Sequence, residues 1–447
     1  MTKRSVIFTS LSILATSLAC LVPTPALTPL PATPDENQIA TSVAATLTAI
    51  FSTQPLVTEA SPSDTPTPSL TPLAGCTPVH PGAQVLPLPV GMAAGESTTV
   101  TLYNFQGTTL ATRPTAGISW MSEDQIHLAG NLSGGANNLP LVYYSMQNHG
   151  TLKSNVNNVI TDLSAMPNLI SLIGAEGTSY LSFVTLDMLA DSVNRVYVGD
   201  MSQLAGIQPR REWTPPADGS FGNAIRPLAL HYEAGQARGL WFTYTMYGIG
   251  DLIFPPYNGL SYLDLGNDQV TEFINTDLAV SGLSPDQTWI AYNPTPGGSP
   301  WIQGGFSIRN LVTCQETYIS LDAGSSQGAG YVVFSPDNRF VAWVEASGPN
   351  PMDATFRLRV ARTDGTGVFD SPIANLTLFT GGEVPVFIKP VGWAANHLLF
   401  MEVSIEALDR PILVIWPPDP AQPLDPALGA HQAVPIADGV FLGFIYP

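Results

Sequence analysis

Leu283-Ser284-Pro285-Asp286-Gln287-Thr288-Trp289-Ile290-Ala291-Tyr292 and Phe334-Ser335-Pro336-Asp337-Asn338-Arg339-Phe340-Val341-Ala342-Trp343 are near copies, with Asp286 and Asp337 51 residues apart. Each copy reads as a β-hairpin. Proline presets φ at the second turn position, the Asp carboxylate accepts from nearby backbone N–H groups, and the apolar flanks supply two antiparallel strands. Weaker versions lie at Trp120-Met121-Ser122-Glu123-Asp124-Gln125, with Asp124 162 residues before Asp286, and at Trp393-Ala394-Ala395-Asn396. Fainter turns fall near Asn168 and Gly235, and the mean interval from Asp124 to Asn396 is 54 residues. That period belongs to a propeller or a solenoid. Asp124, Asp286 and Asp337 recur with it, so they read as structural turn caps rather than catalysts.

Beyond the second copy, residues 356–360 alternate strictly as a third strand, Asp364-Gly365 makes a turn, and residues 373–379 form a fourth strand. Four strands per repeat make a propeller blade. The expected fold is an all-β propeller of four-stranded blades, seven in number with six as the alternative. Its last blade is composite: residues 440–446 give the innermost strand, and residues 84–90, 99–105 and 108–112 give the other three, so that no sheet edge is left open. The Ser-Pro-Asp turns resemble the Pro-Asp repeat of TolB-type propellers, the exported relatives of WD-repeat proteins, over roughly residues 84–447. The resemblance implies a propeller fold and protein partners, and says almost nothing about activity.

Composition agrees with this architecture. In 447 residues, hydrophobic residues reach 45% and charged residues only 11%, against about 25% charged in an ordinary soluble domain. This excludes disorder through most of the chain, and 39 Gly with 41 Pro leave little room for long helices. Sixteen Lys and Arg against 35 Asp and Glu give a formal charge of −19. Such a surface repels phosphate backbones and anionic lipid heads, which excludes a nucleic-acid partner.

The N-terminal end reads as an export signal. Lys3 and Arg4 precede an apolar run over residues 6–18, too short to span ~30 Å of hydrocarbon but long enough for a signal-peptide core. Ser17-Leu18-Ala19-Cys20 resembles a bacterial lipobox, which implies a diacylglycerol on Cys20 and removal of residues 1–19. The protein is then extracytoplasmic, at the cell surface or in the periplasm, and touches the membrane through that lipid alone. Residues 20–77, rich in Thr, Pro and Ser, read as an extended tether. Ile39, Val43, Leu47, Ile50 and Phe51 mark a short amphipathic helix over 35–51, and the propeller takes 78–447. With Cys20 used by the lipid, Cys76 and Cys314 remain as an even pair: either two thiols or one disulfide. The disulfide would close a loop of more than 200 residues, worth about 4–5 kcal/mol by the chain-entropy model.

No motif identifies a catalyst. Gly324-Ser325-Ser326-Gln327-Gly328 fits the G-x-S-x-G string, but a nucleophile elbow follows a strand and opens a helix, whereas here a strand follows the motif. The six His (His80, His127, His149, His231, His397, His431) have no metal-ligand spacing, and Asp264-Leu265-Gly266-Asn267-Asp268 lacks a calcium loop's ligands and reads as a hairpin turn. No cofactor and no metal are expected. Three long loops remain as candidate binding surfaces: 209–223 with Arg210, Arg211 and Trp213, 247–258 with Tyr257, and 294–305 with Trp301. The two arginines, rare on an acidic surface, could anchor a carboxylate or phosphate; the competing reading is solvated loops with the tryptophans packed on blade rims. The function expected is a non-enzymatic binding or scaffolding module of the cell envelope with an envelope protein as partner. The alternative is an envelope hydrolase acting on glycan or peptide at the propeller face.

Overall fold

The chain separates into two compact units, 1–49 and 50–447. The computed structural model describes residues 77–96, 98–115, 125–144, 151–165, 169–187, 193–204, 206–213, 223–246, 254, 257–293, 305–321, 328–347, 355–370, 386–395, 398–405, 411–416 and 434–447. The expected signal peptide, Cys20, the helix expected at 35–51 and Cys76 lie outside them.

Alternating apolar residues between Gly, Pro, Asn and Asp turns fold into strands throughout. In chain order these are β1 (Gly91–Glu96), β2 (Thr99–Asn104), β3 (Thr109–Pro114), β4 (Gln125–Leu128), β5 (Leu141–Tyr144), β6 (Thr151–Val156), β7 (Val159–Ala165), β8 (Leu169–Gly174), β9 (Tyr180–Asp187), β10 (Val193–Asp200) and β11 (Arg211–Trp213). There follow β12 (Asn223–Glu233), β13 (Gln236–Met246), β14 (Tyr257–Asp264), β15 (Val270–Leu283), β16 (Trp289–Asn293), β17 (Phe306–Asn310), β18 (Glu316–Ile319) and β19 (Gly328–Phe334). The last are β20 (Phe340–Ser347), β21 (Thr355–Arg362), β22 (Phe369–Asp370), β23 (Phe387–Ala395), β24 (Leu398–Ser404), β25 (Ile412–Trp416), β26 (Val434–Asp438) and β27 (Val440–Ile445).

These strands build a β-propeller. Five sheets are separate four-stranded blades, ordered β27-β1-β2-β3, β4-β5-β6-β7, β8-β9-β10-β11, β19-β20-β21-β22 and β23-β24-β25-β26. The remaining strands, β12 to β18, form one continuous seven-stranded sheet, so the expectation of seven separate blades is not met. The reason lies in β15. Its first half pairs with the outer side of β14 (Leu260 opposite Ile274) and its second half with β16 (Leu283 opposite Ile290), so one unbroken strand serves two four-strand sets. Around the axis the first strands of neighbouring sets touch: β27 with β4, β4 with β8, β8 with β12, β15 with β19 and β19 with β23.

The composite blade forms as expected in principle, with one strand displaced. β27 pairs antiparallel with β1, and β2 and β3 complete the sheet. The second strand is Gly91–Glu96, however, not 84–90. Residues 84–90 carry two prolines, Pro87 and Pro89, and apolar side chains without alternation, and they run as an irregular strap across the ends of the inner strands. Three further expectations shift. The strand pairing with β21 is Phe369–Asp370, while residues 371–385 lie outside the described set. The hairpin placed near Asn168 is at residues 175–179, since β8 starts at Leu169. Asp124 lies outside the described residues, and the hairpin between β4 and β5 spans 129–140 instead.

Apolar side chains fill the spaces between neighbouring sheets. Trp343 and Phe306, for example, meet edge-on at 5.3 Å between the β15–β18 strands and the next blade. Trp241, Trp343 and Trp416 are each fully buried.

Candidate functional site

The Ser-Pro-Asp turns were the strongest sequence signal, and their side chains are spent on the fold. Asp286 accepts from the Thr288 backbone N–H at 3.1 Å, the Thr288 hydroxyl at 2.8 Å and the Ser284 hydroxyl at 2.6 Å. Asp337 accepts from Ser335 Oγ at 2.7 Å and the Arg339 N–H at 3.1 Å. Asn338 Nδ2 donates to Asp286 Oδ2 at 2.6 Å, so one copy of the repeat is bonded to the other. The residue after each Asp adopts a left-handed conformation, Gln287 at φ +65 and Asn338 at φ +56. Gln287 is held there by Trp241, whose Nε1–H donates to Gln287 Oε1 at 2.9 Å.

Onto this face docks the strap that begins at Thr77. His80 stacks on Trp241, with ring centroids 5.5 Å apart and 25° between planes. The Gly82 N–H donates to His80 Nδ1 at 3.1 Å, which leaves Nε2–H to donate to the Gln287 carbonyl at 2.8 Å. This arrangement needs a neutral imidazole, and burial indeed pushes the His80 pKa down. Further along, the Gln84 N–H donates to the Asp286 carbonyl and Gln84 Oε1 accepts from the Tyr232 N–H at 2.7 Å, while the Val90 N–H donates to the Ile445 carbonyl.

Beneath the strap lies an axial cavity. Its larger lobe, about 620 Å³, is walled by strap residues 83–87, by the Ser284–Gln287 turn and by Trp393, Phe444 and Tyr446. A smaller lobe of about 330 Å³ continues between β4, β8, β12 and β27 and is reached by Arg226 and Tyr257. Glu176, in the β8–β9 turn, lines both lobes. Its side chain is exposed to the cavity, and desolvation by the surrounding walls pushes its carboxyl up to about 7. His127 packs on Gly174, where a Cβ would stand 1.9 Å from the imidazole. His127 Nε2 is bonded to the Thr178 carbonyl at 2.8 Å, and full burial lowers its pKa to about 4. Glycine at 174 is therefore what lets the ring close one side of the lobe.

No family model matches this chain, and no curated protein matches it either. Solved structures with a similar fold include an oligogalacturonate lyase in complex with manganese, 11% identical over 75% of this chain and 83% of that one, TM-score 0.45. Another is an oligogalacturonate lyase from Vibrio parahaemolyticus, 9% identical over 80% and 86%, TM-score 0.43. A third is an acylaminoacyl peptidase from Pyrococcus horikoshii, 9% identical over 78% and 50%, TM-score 0.45. These neighbours are enzymes, but at such identities and TM-scores the likeness carries no conclusion about this chain's activity.

The sequence-predicted loop residues do not converge. Arg210 pairs with Asp268 at 2.9 Å and also donates to the Leu265 carbonyl, and Arg211 donates to the Asp268 carbonyl. Both guanidinium groups thus clamp the β14–β15 turn of the neighbouring sheet. Trp213 is the last residue of β11, opposite Asn194. Tyr257 opens β14 and stacks under the Arg226 guanidinium at 4.7 Å, facing the smaller lobe. Trp301 lies outside the described residues, as do Ser326, His149, His397 and His431. Cys314 is disulfide-bonded, and its partner lies outside the described residues. Among the described residues no group of three or more His, Cys, Asp and Glu could hold a metal ion. Glu176 itself was missed. It is one of 35 acidic residues, in a Gly-Ala-Glu-Gly-Thr turn that carries no motif, and only the ring closure turns it toward the axis.

Proposed function

We propose that the protein is an exported, lipid-anchored propeller that serves as a non-enzymatic binding or scaffolding module of the cell envelope. The observation that carries this reading is the strap. The chain enters the propeller at Thr77 through contacts at His80, Gln84 and Val90, so a tether preceding it is fastened to the face that bears the Ser-Pro-Asp turns. The opposite rim, where Met246, Tyr257 and Asn293 end or begin their strands, is then presented away from the anchor. The leader and the Cys20 lipobox supply the anchor itself. Metabolic labelling with a radioactive fatty acid tests the address: label is expected in the full-length chain and absent from Cys20→Ala. An unlabelled wild type that is nonetheless exported would refute it.

The second reading, a hydrolase acting on glycan or peptide at the propeller face, draws on Glu176. A carboxyl pushed up to about 7 at a cavity wall has the protonation behaviour of a general acid. Turnover of a glycan or peptide panel that disappears in Glu176→Gln would favour it over scaffolding.

A further inference from the structure

Glu176 presents a carboxylate that the protein leaves unanswered. Among the described residues nothing donates a hydrogen bond to it, although it lines both lobes of the cavity. The other charges around the cavity are already engaged. Asp286 is saturated by Ser284, Thr288 and Asn338, and Arg226 lies over Tyr257 in the smaller lobe. The larger lobe instead offers apolar and aromatic surface: Leu228, Phe334, Trp393, Phe444 and Tyr446. Its volume, about 620 Å³, is that of a small-molecule site.

We propose that this lobe binds an organic cation, an ammonium or guanidinium group on an apolar stem, with Glu176 pairing the charge and the aromatic wall taking the stem. A carboxylate beside aromatic faces attracts such a cation twice, through the ion pair and through the ring quadrupoles. A hard inorganic cation fits poorly, because it demands several free oxygen ligands, and the second carboxylate of the wall, Asp286, is already bonded to Ser284, Thr288 and Asn338. The cation can arrive as a free amine or as the lysine or arginine side chain of a partner. The site goes beyond the scaffolding reading and stands without it.

Titration calorimetry of the intact protein with 1,5-diaminopentane and, separately, with N-acetyl-lysine amide is the test, with n-pentanol as the uncharged control. Saturable heat is expected with at least one of the two amines and none with pentanol. Tighter binding of the diamine assigns a free solute, and tighter binding of the lysine amide assigns a partner's side chain. Glu176→Gln is expected to weaken the binding about 10- to 100-fold, while Glu176→Asp, which keeps the charge, retains more of it, and both keep the wild-type melting temperature. Affinity should also rise with pH through about 7 as the carboxyl ionises. The other titratable or charged groups facing it are His127, held neutral across that range by burial, Tyr446, whose hydroxyl burial pushes up, Asp286 and Arg226. No heat with either amine, or equal affinity in Glu176→Gln, would overturn the proposal.

Discussion

Asp286 and Asp337 occupy equivalent turns but carry different loads, and the difference is measurable. Asp286 accepts four side-chain or backbone hydrogen bonds, one of them from Asn338 in the next repeat, whereas two are recorded to Asp337. Asp286→Ala is expected to cost about 2–3 kcal/mol and Asp337→Ala about 1–2 kcal/mol, measured by urea unfolding. Equal losses would show that the bond between repeats contributes nothing. Arg210→Ala, by contrast, removes a half-exposed ion pair and should cost under about 1 kcal/mol. At this scale the sequence was legible where chemistry is local. A Ser-Pro-Asp turn closes on its own neighbours, so its bonds could be read from the string. The fate of Arg210 and Arg211 could not, because their acceptor, Asp268, comes from a different sheet.

The strap is the element that sequence periodicity misassigned, and it is also the one expected to respond to pH. His80 is held below its ordinary pKa by burial, opposed by the Gln287 carbonyl and Asp286, and it lowers the pKa of His231 nearby, itself held down chiefly by burial. The docked strap thus binds fewer protons than a released one. Docking stability is full above pH ~6.5 and falls as pH drops below it, by up to about tenfold per unit. Hydrogen exchange at the Gly82 and Gln84 amides, corrected for intrinsic rates, should accelerate over that window, and His80→Phe should remove the dependence. A flat profile in the wild type would show that His80 is not what fastens the strap. The closing blade makes a second element-scale prediction. The Phe441 N–H of β27 donates to buried Glu402 of β24 at 2.6 Å. Glu402→Ala strands that donor and should cost about 1–3 kcal/mol, read as a lower melting temperature.

For the whole molecule, closure of the ring rests on one short strand from the C-terminal end pairing with β1 from near the start of the propeller. A chain ending at Asp438 should lose its cooperative unfolding transition, and a peptide of residues 439–447 added in trans should restore it. A truncated chain that melts like the wild type would show that the ring does not depend on its clasp. The disulfide at Cys314 adds a covalent constraint, and peptide mapping without reductant is expected to join Cys314 to Cys76. What the sequence alone determined was the repeating hairpin, the four-strand unit and the joining of the two chain ends, because turn chemistry and strand alternation act between near neighbours and repeat with a countable period. What only the tertiary structure decided was that β15 runs unbroken through two sets of strands, that residues 84–90 cross a face instead of entering a sheet, and that Glu176 lines the axial cavity. Each of these depends on which distant strands meet around a common axis, and a periodic pattern carries no record of that meeting.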